Sequence, residues 1–209
     1  MKRVLLLACA ALHLAAGGAS ATDKAVGITA GELSRQFTIN GQPYEISRNQ
    51  DNAATLTGEF AKTSRACPPF CVHPMSSGAG VETIGEIEVL DFLSGVVAQG
   101  QGLLIDSRVP EWFQKGTIPG SINVPFATLE PTNPYRDEIL KALGARQVGA
   151  GWDFSAALDL ALFCNGPWCD QSPRAIRNLL DVGYPADKLR YNRGGMQDRL
   201  ILGLTVAQP

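Results

Sequence analysis

The chain has 209 residues, of which 45% are hydrophobic, and its 18 Lys and Arg against 20 Asp and Glu give a formal net charge of −2 at pH 7. This length is typical of one domain with a sizeable core. The near balance of charge provides no basic surface for nucleic acid, so we expect small molecules or proteins as partners.

Residues 1–21 have the pattern of a secretory signal peptide. A basic start, Met1-Lys2-Arg3, is followed by an apolar stretch and by the small residues Ala19-Ser20-Ala21, which match a cleavage site. The apolar stretch is too short to span a membrane, and we expect no stable membrane insertion after cleavage. We predict a mature chain that begins at Thr22 and is periplasmic or secreted. A lipid on Cys9 is less favoured, because few apolar residues precede it.

Residues 22–80 are less regular and predict a small, irregular N-terminal extension. Apolar and polar residues alternate on both sides of the turn-forming pair Asn40-Gly41, which predicts a β-hairpin. The apolar positions of this hairpin are Phe37, Ile39, Tyr44 and Ile46.

The same extension contains the segment CPPFCVHPM, residues 67–75. Cys67, Cys71, His73 and Met75 are soft or borderline metal ligands, and the cysteine spacing resembles the copper-binding loop of the copper chaperones that serve cytochrome oxidase. We favour a local disulfide or a redox pair of Cys67 and Cys71 over a metal site, and we predict no metal. Ordinary packing of this loop is a further alternative.

An α/β pattern begins near residue 81 and continues to residue 209. Thr83-x-x-Glu86 has the form of a capping box and predicts a helix that runs to Gly95. Residues 102–106 form an apolar run that ends in Asp106 and predicts a buried strand. The predicted order is helix, strand, loop, short strand, helix, strand and helix.

The stretch LALFCNGPWCDQSPRAIRNLL, residues 160–180, contains the candidate reactive cysteine. A buried strand is predicted up to Cys164, and turn-forming residues follow it. Ser172 and Pro173 are then expected as the N-cap and first residue of a helix. Loop N–H groups and the positive end of that helix would lower the pKa of a cysteine and bind an anion.

Three ordered segments, residues 103–125, 160–180 and 190–206, together resemble the rhodanese-like sulfurtransferase domains. LLIDSRVPEWFQKGTIPGSINVP, residues 103–125, resembles the first signature of the family, and the cysteine stretch falls where the family keeps its active-site loop. RYNRGGMQDRLILGLTV, residues 190–206, resembles the closing segment. The resemblance covers about residues 80 to 206 and implies a rhodanese-like domain at residues 81–209.

The chain also departs from the family pattern. Thr117 stands where histidine is common, Arg199 stands near a usual tryptophan, and Cys169 occupies a loop position that often holds arginine. The chain is similar to a subgroup with the loop CNGPxC, and we therefore align Cys164 with the family nucleophile.

The resemblance implies a doubly wound α/β fold with a central parallel sheet flanked by helices. It also implies that the Cys164 thiolate attacks the sulfane sulfur of a small anion such as thiosulfate, or of a persulfide, and passes it to a thiol or another thiophilic acceptor. No cofactor is implied. The expected active-site loop consists of Asn165, Gly166, Pro167, Trp168, Cys169, Asp170, Gln171 and Ser172.

Other residues are assigned supporting roles. We favour an ion pair of Asp106 and Arg108 that braces the loops over a direct catalytic part. Arg174 would attract an anionic donor or be solvated, and Trp168 would wall the pocket or pack the loop. Cys169 is predicted to be a resolving or protecting thiol, with a buried structural thiol as the alternative.

Two other classes of function stay open on the sequence. A thiol–disulfide oxidoreductase would use Cys164 with Cys169, or Cys67 with Cys71. A non-catalytic binding module would keep its cysteines in disulfides. A phosphatase is disfavoured, because Asp170 rather than arginine occupies the sixth position after Cys164.

Overall fold

The computed structural model describes residues 25–209. The predicted signal peptide and its boundary at Thr22 therefore lie outside the described residues. Each helix within residues 25–209 is too short or too polar to cross a membrane.

The N-terminal segment contains an antiparallel hairpin at the predicted position. Strands β1 (Ser34–Ile39) and β2 (Gln42–Ser47) pair so that Phe37 lies opposite Tyr44. The turn between them places Asn40 at φ 49° and Gly41 at φ 80°, the left-handed conformation that tight hairpin turns need. Asparagine and glycine adopt it at low cost.

A five-stranded parallel sheet forms the centre of the molecule. Its strands are β3 (Glu82–Ile84), β4 (Gly102–Asp106), β5 (Ile122–Asn123), β8 (Asp159–Phe163) and β9 (Leu189–Asn192). Their order across the sheet is β3-β9-β8-β4-β5. The expected doubly wound fold with a central parallel sheet is confirmed. A separate antiparallel pair consists of β6 (Arg146–Val148) and β7 (Gly151–Asp153).

Helices cover both faces of this sheet. They are α1 (Glu86–Phe92), α2 (Pro110–Phe113), α3 (Arg136–Ala142), α4 (Gln171–Asp181) and α5 (Gly195–Ile201). A π-helical turn, Leu93–Val97, extends α1, and single 3-10 turns lie at Gly58–Ala61, Phe126–Leu129 and Ala186–Lys188. Because helices lie on both sides, the central strand β8 is apolar at nearly every position.

The core has two halves, one on each side of the sheet. Leu160 and Leu162 of β8 pack on the side of α4, whereas Ala161 and Phe163 pack on the side of α1. The hairpin belongs to the second half, because Ile46 is fully buried there. The N-terminal extension thus supplies part of the core.

The first helix begins later than its predicted capping box. Thr83 lies in strand β3, where it pairs with Tyr191 of β9, so it cannot cap a helix. The helix starts at Glu86, and the carboxylate that accepts a hydrogen bond from the Gly85 N–H, at 3.0 Å, belongs to Glu88. The prediction was wrong because Thr83 pairs with a strand that is distant in the sequence, and this pairing outweighs the local preference for a helix cap.

Candidate active site

Cys164 follows β8 at the carboxyl edge of the sheet. It is 1% exposed. Its Sγ accepts a hydrogen bond from the Ser172 hydroxyl at 3.1 Å and, as a thiol, donates one to the carbonyl oxygen of Cys169 at 3.2 Å. The carboxyl edge of an open parallel sheet is the usual position for a ligand, and here it presents a sulfur atom.

Helix α4 begins two residues earlier than predicted. Its first residue is Gln171 and its N-cap is Asp170, so Ser172 and Pro173 lie inside the helix rather than at its cap. The prediction of a Ser172 N-cap was therefore wrong. The serine hydroxyl turns toward Cys164 instead, which places a hydrogen-bond donor on the sulfur at the positive end of the helix.

The surroundings of Cys164 favour its thiolate. Burial works to raise the pKa of Cys164, but hydrogen bonds from the Cys169 thiol, the Ser172 hydroxyl and the backbone N–H groups of Ser172 and Gly166 outweigh it. The pKa falls to about 7. A substantial fraction of the sulfur is then ionised at neutral pH without a general base.

Cys169 has the opposite behaviour. Its hydrogen bond to Cys164 and its burial raise the pKa of the Cys169 thiol far above the usual range. Both cysteines are free thiols. The loop therefore holds one nucleophilic sulfur and one protonated sulfur that donates to it.

The N-terminus of α5 fixes the backbone of the loop. The N–H of Met196 donates to the Cys164 carbonyl at 3.1 Å, and the N–H of Gln197 donates to the Asn165 carbonyl at 2.9 Å. Gly195 has φ 52°, and a Cβ there would lie 2.2 Å from the Cys164 oxygen. Only glycine allows the helix to approach the loop this closely.

A buried polar network joins the neighbouring strand to the same loop. Arg108 is 1% exposed, and its Nη2 donates to Asp106 Oδ2 at 2.6 Å while its Nη1 donates to Asn165 Oδ1 at 3.2 Å. The Thr117 hydroxyl also donates to Asp106, at 2.7 Å. Asp106 and Arg108 thus form the predicted ion pair, and it contacts the loop through Asn165 rather than through Cys164.

The Arg174 side chain pairs with Glu130. Its Nη2 donates to Glu130 Oε1 at 2.6 Å, and its guanidinium packs over the Phe126 ring at 4.4 Å. Its side chain is 41% exposed. The structure therefore places this arginine in a surface ion pair.

A segment of the N-terminal region lies across the loop, and we refer to residues 58–75 as the strap. The N–H of His73 donates to the Pro167 carbonyl at 2.9 Å. The Arg65 guanidinium lies over the Trp168 ring at 4.0 Å, and the Phe70 ring meets the edge of the same indole at 5.8 Å. Trp168 therefore packs between the loop and the strap.

The strap also contains the first cysteine pair. Cys67 and Cys71 are joined by a disulfide, so the two cysteine sulfurs among the candidate metal ligands are bonded to each other. Among residues 25–209, no group of three His, Cys, Asp or Glu side chains is arranged to hold a metal ion.

Sequence reasoning missed the contacts between the strap and the site. The side chain of Gln197 accepts a hydrogen bond from the Trp168 indole at 3.3 Å and donates one to the Phe60 carbonyl at 3.0 Å. Phe60 and Gln197 are 137 residues apart in sequence. No local pattern marks such a pair, although the two prolines and the aromatic residue between Cys67 and Cys71 do indicate a stiff loop.

The position of Arg199, near a usual tryptophan of the family, is also explained by packing. Arg199 is 2% exposed, and its Nε donates to the Thr205 carbonyl at 2.7 Å. Burial lowers the pKa of Arg199 to about 10, although the charge of Glu86 acts in the other direction. The arginine holds the C-terminal segment against α5, and within residues 25–209 its side chain makes no hydrogen bond to the loop cysteines.

Comparisons with known proteins agree with this architecture. Residues 90–199 match the family described as Rhodanese-like domain. An HTH-type transcriptional regulator of Mycobacterium tuberculosis is 31% identical over 107 residues, which are 51% of this chain and 38% of the regulator. The chain therefore matches well under half the length of that relative.

Two solved structures were also found to be similar. A human single-domain sulfurtransferase is 24% identical with a TM-score of 0.39, and the match covers 59% of this chain and 96% of that one. A rhodanese-related protein from Thermoplasma volcanium is 19% identical with a TM-score of 0.42, over 61% of this chain and 99% of that one.

Proposed function

Because this chain belongs to the rhodanese-like domain family, we propose that it is an exported sulfurtransferase or persulfide carrier in which Cys164 holds the transferred sulfur. One observation carries the proposal. The Cys164 sulfur is surrounded by hydrogen-bond donors that lower its pKa to about 7, at the carboxyl edge of a parallel sheet and at the start of a helix.

The first step is sulfur uptake. The Cys164 thiolate attacks the sulfane sulfur of thiosulfate, a new S–S bond forms, and sulfite leaves with the electron pair of the broken bond. The product is a Cys164 persulfide. Its terminal sulfur carries negative charge, and we expect the loop N–H groups near α4 and the Ser172 hydroxyl, which donate to the Cys164 sulfur, to stabilise that charge as well.

The second step is sulfur release. An acceptor thiolate attacks the terminal sulfur, and Cys164 leaves as a thiolate that the same donors stabilise. Asp106 and Arg108 keep the loop in position through Asn165 and do not exchange protons with the sulfur. The two half-reactions need no cofactor.

We further propose that Cys169 is a resolving or protecting thiol. It donates a hydrogen bond to Cys164 and stays protonated while Cys164 is ionised. If a peroxide oxidises the Cys164 thiolate to a sulfenic acid, the Cys169 thiol attacks that sulfur, water leaves, and a disulfide forms that a reductant reverses.

A thiol–disulfide oxidoreductase is the second candidate. The disulfide of Cys67 and Cys71, with Cys67 exposed to solvent, favours it. Such an enzyme would exchange disulfides with a protein dithiol and would not retain a sulfur atom from thiosulfate.

Intact mass spectrometry after incubation with thiosulfate tests the main proposal. We expect the chain to gain the mass of one sulfur atom and to lose it when cyanide is added. Cys164→Ser should abolish the gain, whereas Cys67→Ser should keep it. A wild-type chain that gains nothing, or a Cys164→Ser variant that gains sulfur as fast as wild type, would overturn the assignment.

The proposal of export rests on the sequence of residues 1–21, which resembles a cleaved signal peptide. The disulfide of Cys67 and Cys71 is compatible with an oxidising compartment. N-terminal sequencing of the protein from its native host should begin at Thr22. A chain that retains Met1, or that has a lipid on Cys9, would contradict the proposal.

A further inference from the structure

The strap brings a second cysteine pair next to the reactive loop. Cys71 lies next to Phe70, whose ring contacts Trp168, and two residues before His73, whose N–H is bonded to Pro167. Both contacts are to the loop that begins at Cys164. The disulfide of the strap is thus adjacent in space to the loop that would hold the persulfide.

The two pairs differ in their access to solvent. Cys164 is 1% exposed and Cys169 is 6% exposed, whereas Cys67 is exposed and Cys71 is half-buried. An external reductant therefore reaches Cys67 directly. It reaches the buried Cys164 only after the residues that surround this sulfur have moved.

The contacts that hold the strap on the loop are few and lie near the surface. With the loop itself they are one backbone hydrogen bond, the stacking of Arg65 on Trp168, and aromatic contacts of Phe60 and Phe70 with the same indole. The ends of the strap are also anchored to the domain, because Gln197 donates to the Phe60 carbonyl and Arg193 donates to the His73 and Pro74 carbonyls. Between these anchors most of residues 61–72 are exposed, and a segment with few buried contacts opens locally at a small fraction of the free energy of global unfolding. Such a local opening would move the two strap cysteines relative to Cys164.

We infer, on the basis of the proposed function, that Cys67 and Cys71 in their dithiol form are the first acceptor of the sulfur held by Cys164. The pair then releases this sulfur as sulfide. A strap thiolate attacks the terminal sulfur of the Cys164 persulfide, and the Cys164 thiolate leaves. The other strap thiolate then attacks the sulfur of its partner cysteine and expels hydrosulfide.

The electrons balance within the chain. The dithiol loses two electrons and becomes the disulfide of Cys67 and Cys71, and the sulfane sulfur gains those electrons and leaves as sulfide. The two thiol protons leave with it as hydrogen sulfide. The disulfide that the structure shows is the product of this step. A protein dithiol reductant that docks at the exposed Cys67 is then the partner that restores the acceptor.

A single-turnover experiment tests the inference on the full chain. The protein is reduced with a phosphine, freed of reductant, and mixed with thiosulfate in the absence of any other thiol. We expect the reduced wild type to release one sulfide per chain and to form the disulfide of Cys67 and Cys71, as mapped on peptides. Wild type whose strap disulfide was left intact should keep the sulfur on Cys164.

Variants separate the strap from the other candidate thiol. In Cys67→Ser and in Cys71→Ser we expect the sulfur to stay on the protein and sulfide release to fall at least tenfold, with uptake retained. Circular dichroism checks that both variants fold, and the comparison of reduced with unreduced wild type needs no substitution at all.

Several results would overturn the inference. One is sulfide release at an undiminished rate in both serine variants together with its loss in Cys169→Ala, which would assign the acceptor role to Cys169. Persulfide formation in reduced wild type without any sulfide release would also overturn it. Failure of every form of the chain to gain sulfur would instead contradict the proposed function, and intact mass distinguishes the two failures.

Discussion

The two cysteine pairs of this chain have almost the same spacing and opposite surroundings. Cys67 and Cys71 are four residues apart, joined in a disulfide, on a strap of turns and short 3-10 structure. Cys164 and Cys169 are five residues apart, free and buried, between a central strand and a helix. The residue type is the same, so the difference in chemistry must come from the surrounding fold.

The comparison shows what the sheet and helices contribute to a thiol. The second pair lies where strand β8 ends and α4 begins, so helix N–H groups and the Ser172 hydroxyl point at one sulfur. The first pair is held by two prolines and a local disulfide. A rigid helix can hold hydrogen-bond donors in a fixed position around an anion, whereas a strap that moves cannot.

The largest expected effect concerns the anchoring of the reactive loop. Arg108→Leu leaves the Asp106 carboxylate buried without its cation, and loss of one partner of a buried pair costs about 3–5 kcal/mol. We expect the free energy of unfolding, measured in urea, to fall by that amount. The matched control is Arg174→Gln, which removes a half-exposed pair with Glu130 and should cost at most about 1 kcal/mol. Equal losses for the two variants would contradict this difference.

The second prediction concerns the charge of Cys164. Its pKa is about 7, so the rate of sulfur uptake should rise with pH through neutrality as the thiol becomes a thiolate. Ser172→Ala removes a donor that stabilises the thiolate, so the pKa should rise above about 7 and uptake at neutral pH should slow. The ultraviolet absorbance of the thiolate, followed during a pH titration, measures the shift.

Ser107→Ala is the control for this titration. The Ser107 hydroxyl is buried at the end of the neighbouring strand and has no hydrogen-bond partner within residues 25–209. This variant should leave the midpoint near pH 7. If both alanine variants shift the midpoint equally, a specific hydrogen bond from Ser172 is not the cause.

The smallest effect is expected at the strap. The disulfide of Cys67 and Cys71 closes a very short loop, and a loop of this size constrains the unfolded chain by about 2 kcal/mol at most. Phosphine should therefore lower the melting temperature only slightly. Within residues 25–209 the phosphine has no other disulfide to reduce, because Cys164 and Cys169 are free.

The control is a double variant, Cys67→Ala with Cys71→Ala, whose melting temperature should not respond to phosphine. Unfolding of the whole domain on reduction would show that the strap is part of the core.

Local patterns in the sequence predicted most of the regular elements. The apolar runs at β4 and β8 are continuous because both faces of those strands are buried, and the hairpin follows from Asn40-Gly41 and the alternation beside it. Periodicity of this kind depends only on neighbours along the chain. The position of Cys164 at the end of a buried strand was predictable for the same reason.

The tertiary structure decided the rest, because the remaining contacts join residues that are far apart in sequence. Strand β3 exists only because β9 pairs with it, and the capping signal at Thr83, which is local, could not predict that pairing. The Ser172 hydroxyl donates to the Cys164 sulfur because the loop between them folds back on itself. Arg65 of the strap stacks on Trp168, which lies far from it in the sequence. Composition and spacing identified both cysteine pairs. Their different chemistry depends on the packing of the strap and on the direction in which the N–H groups at the start of α4 point, and both are properties of the tertiary structure.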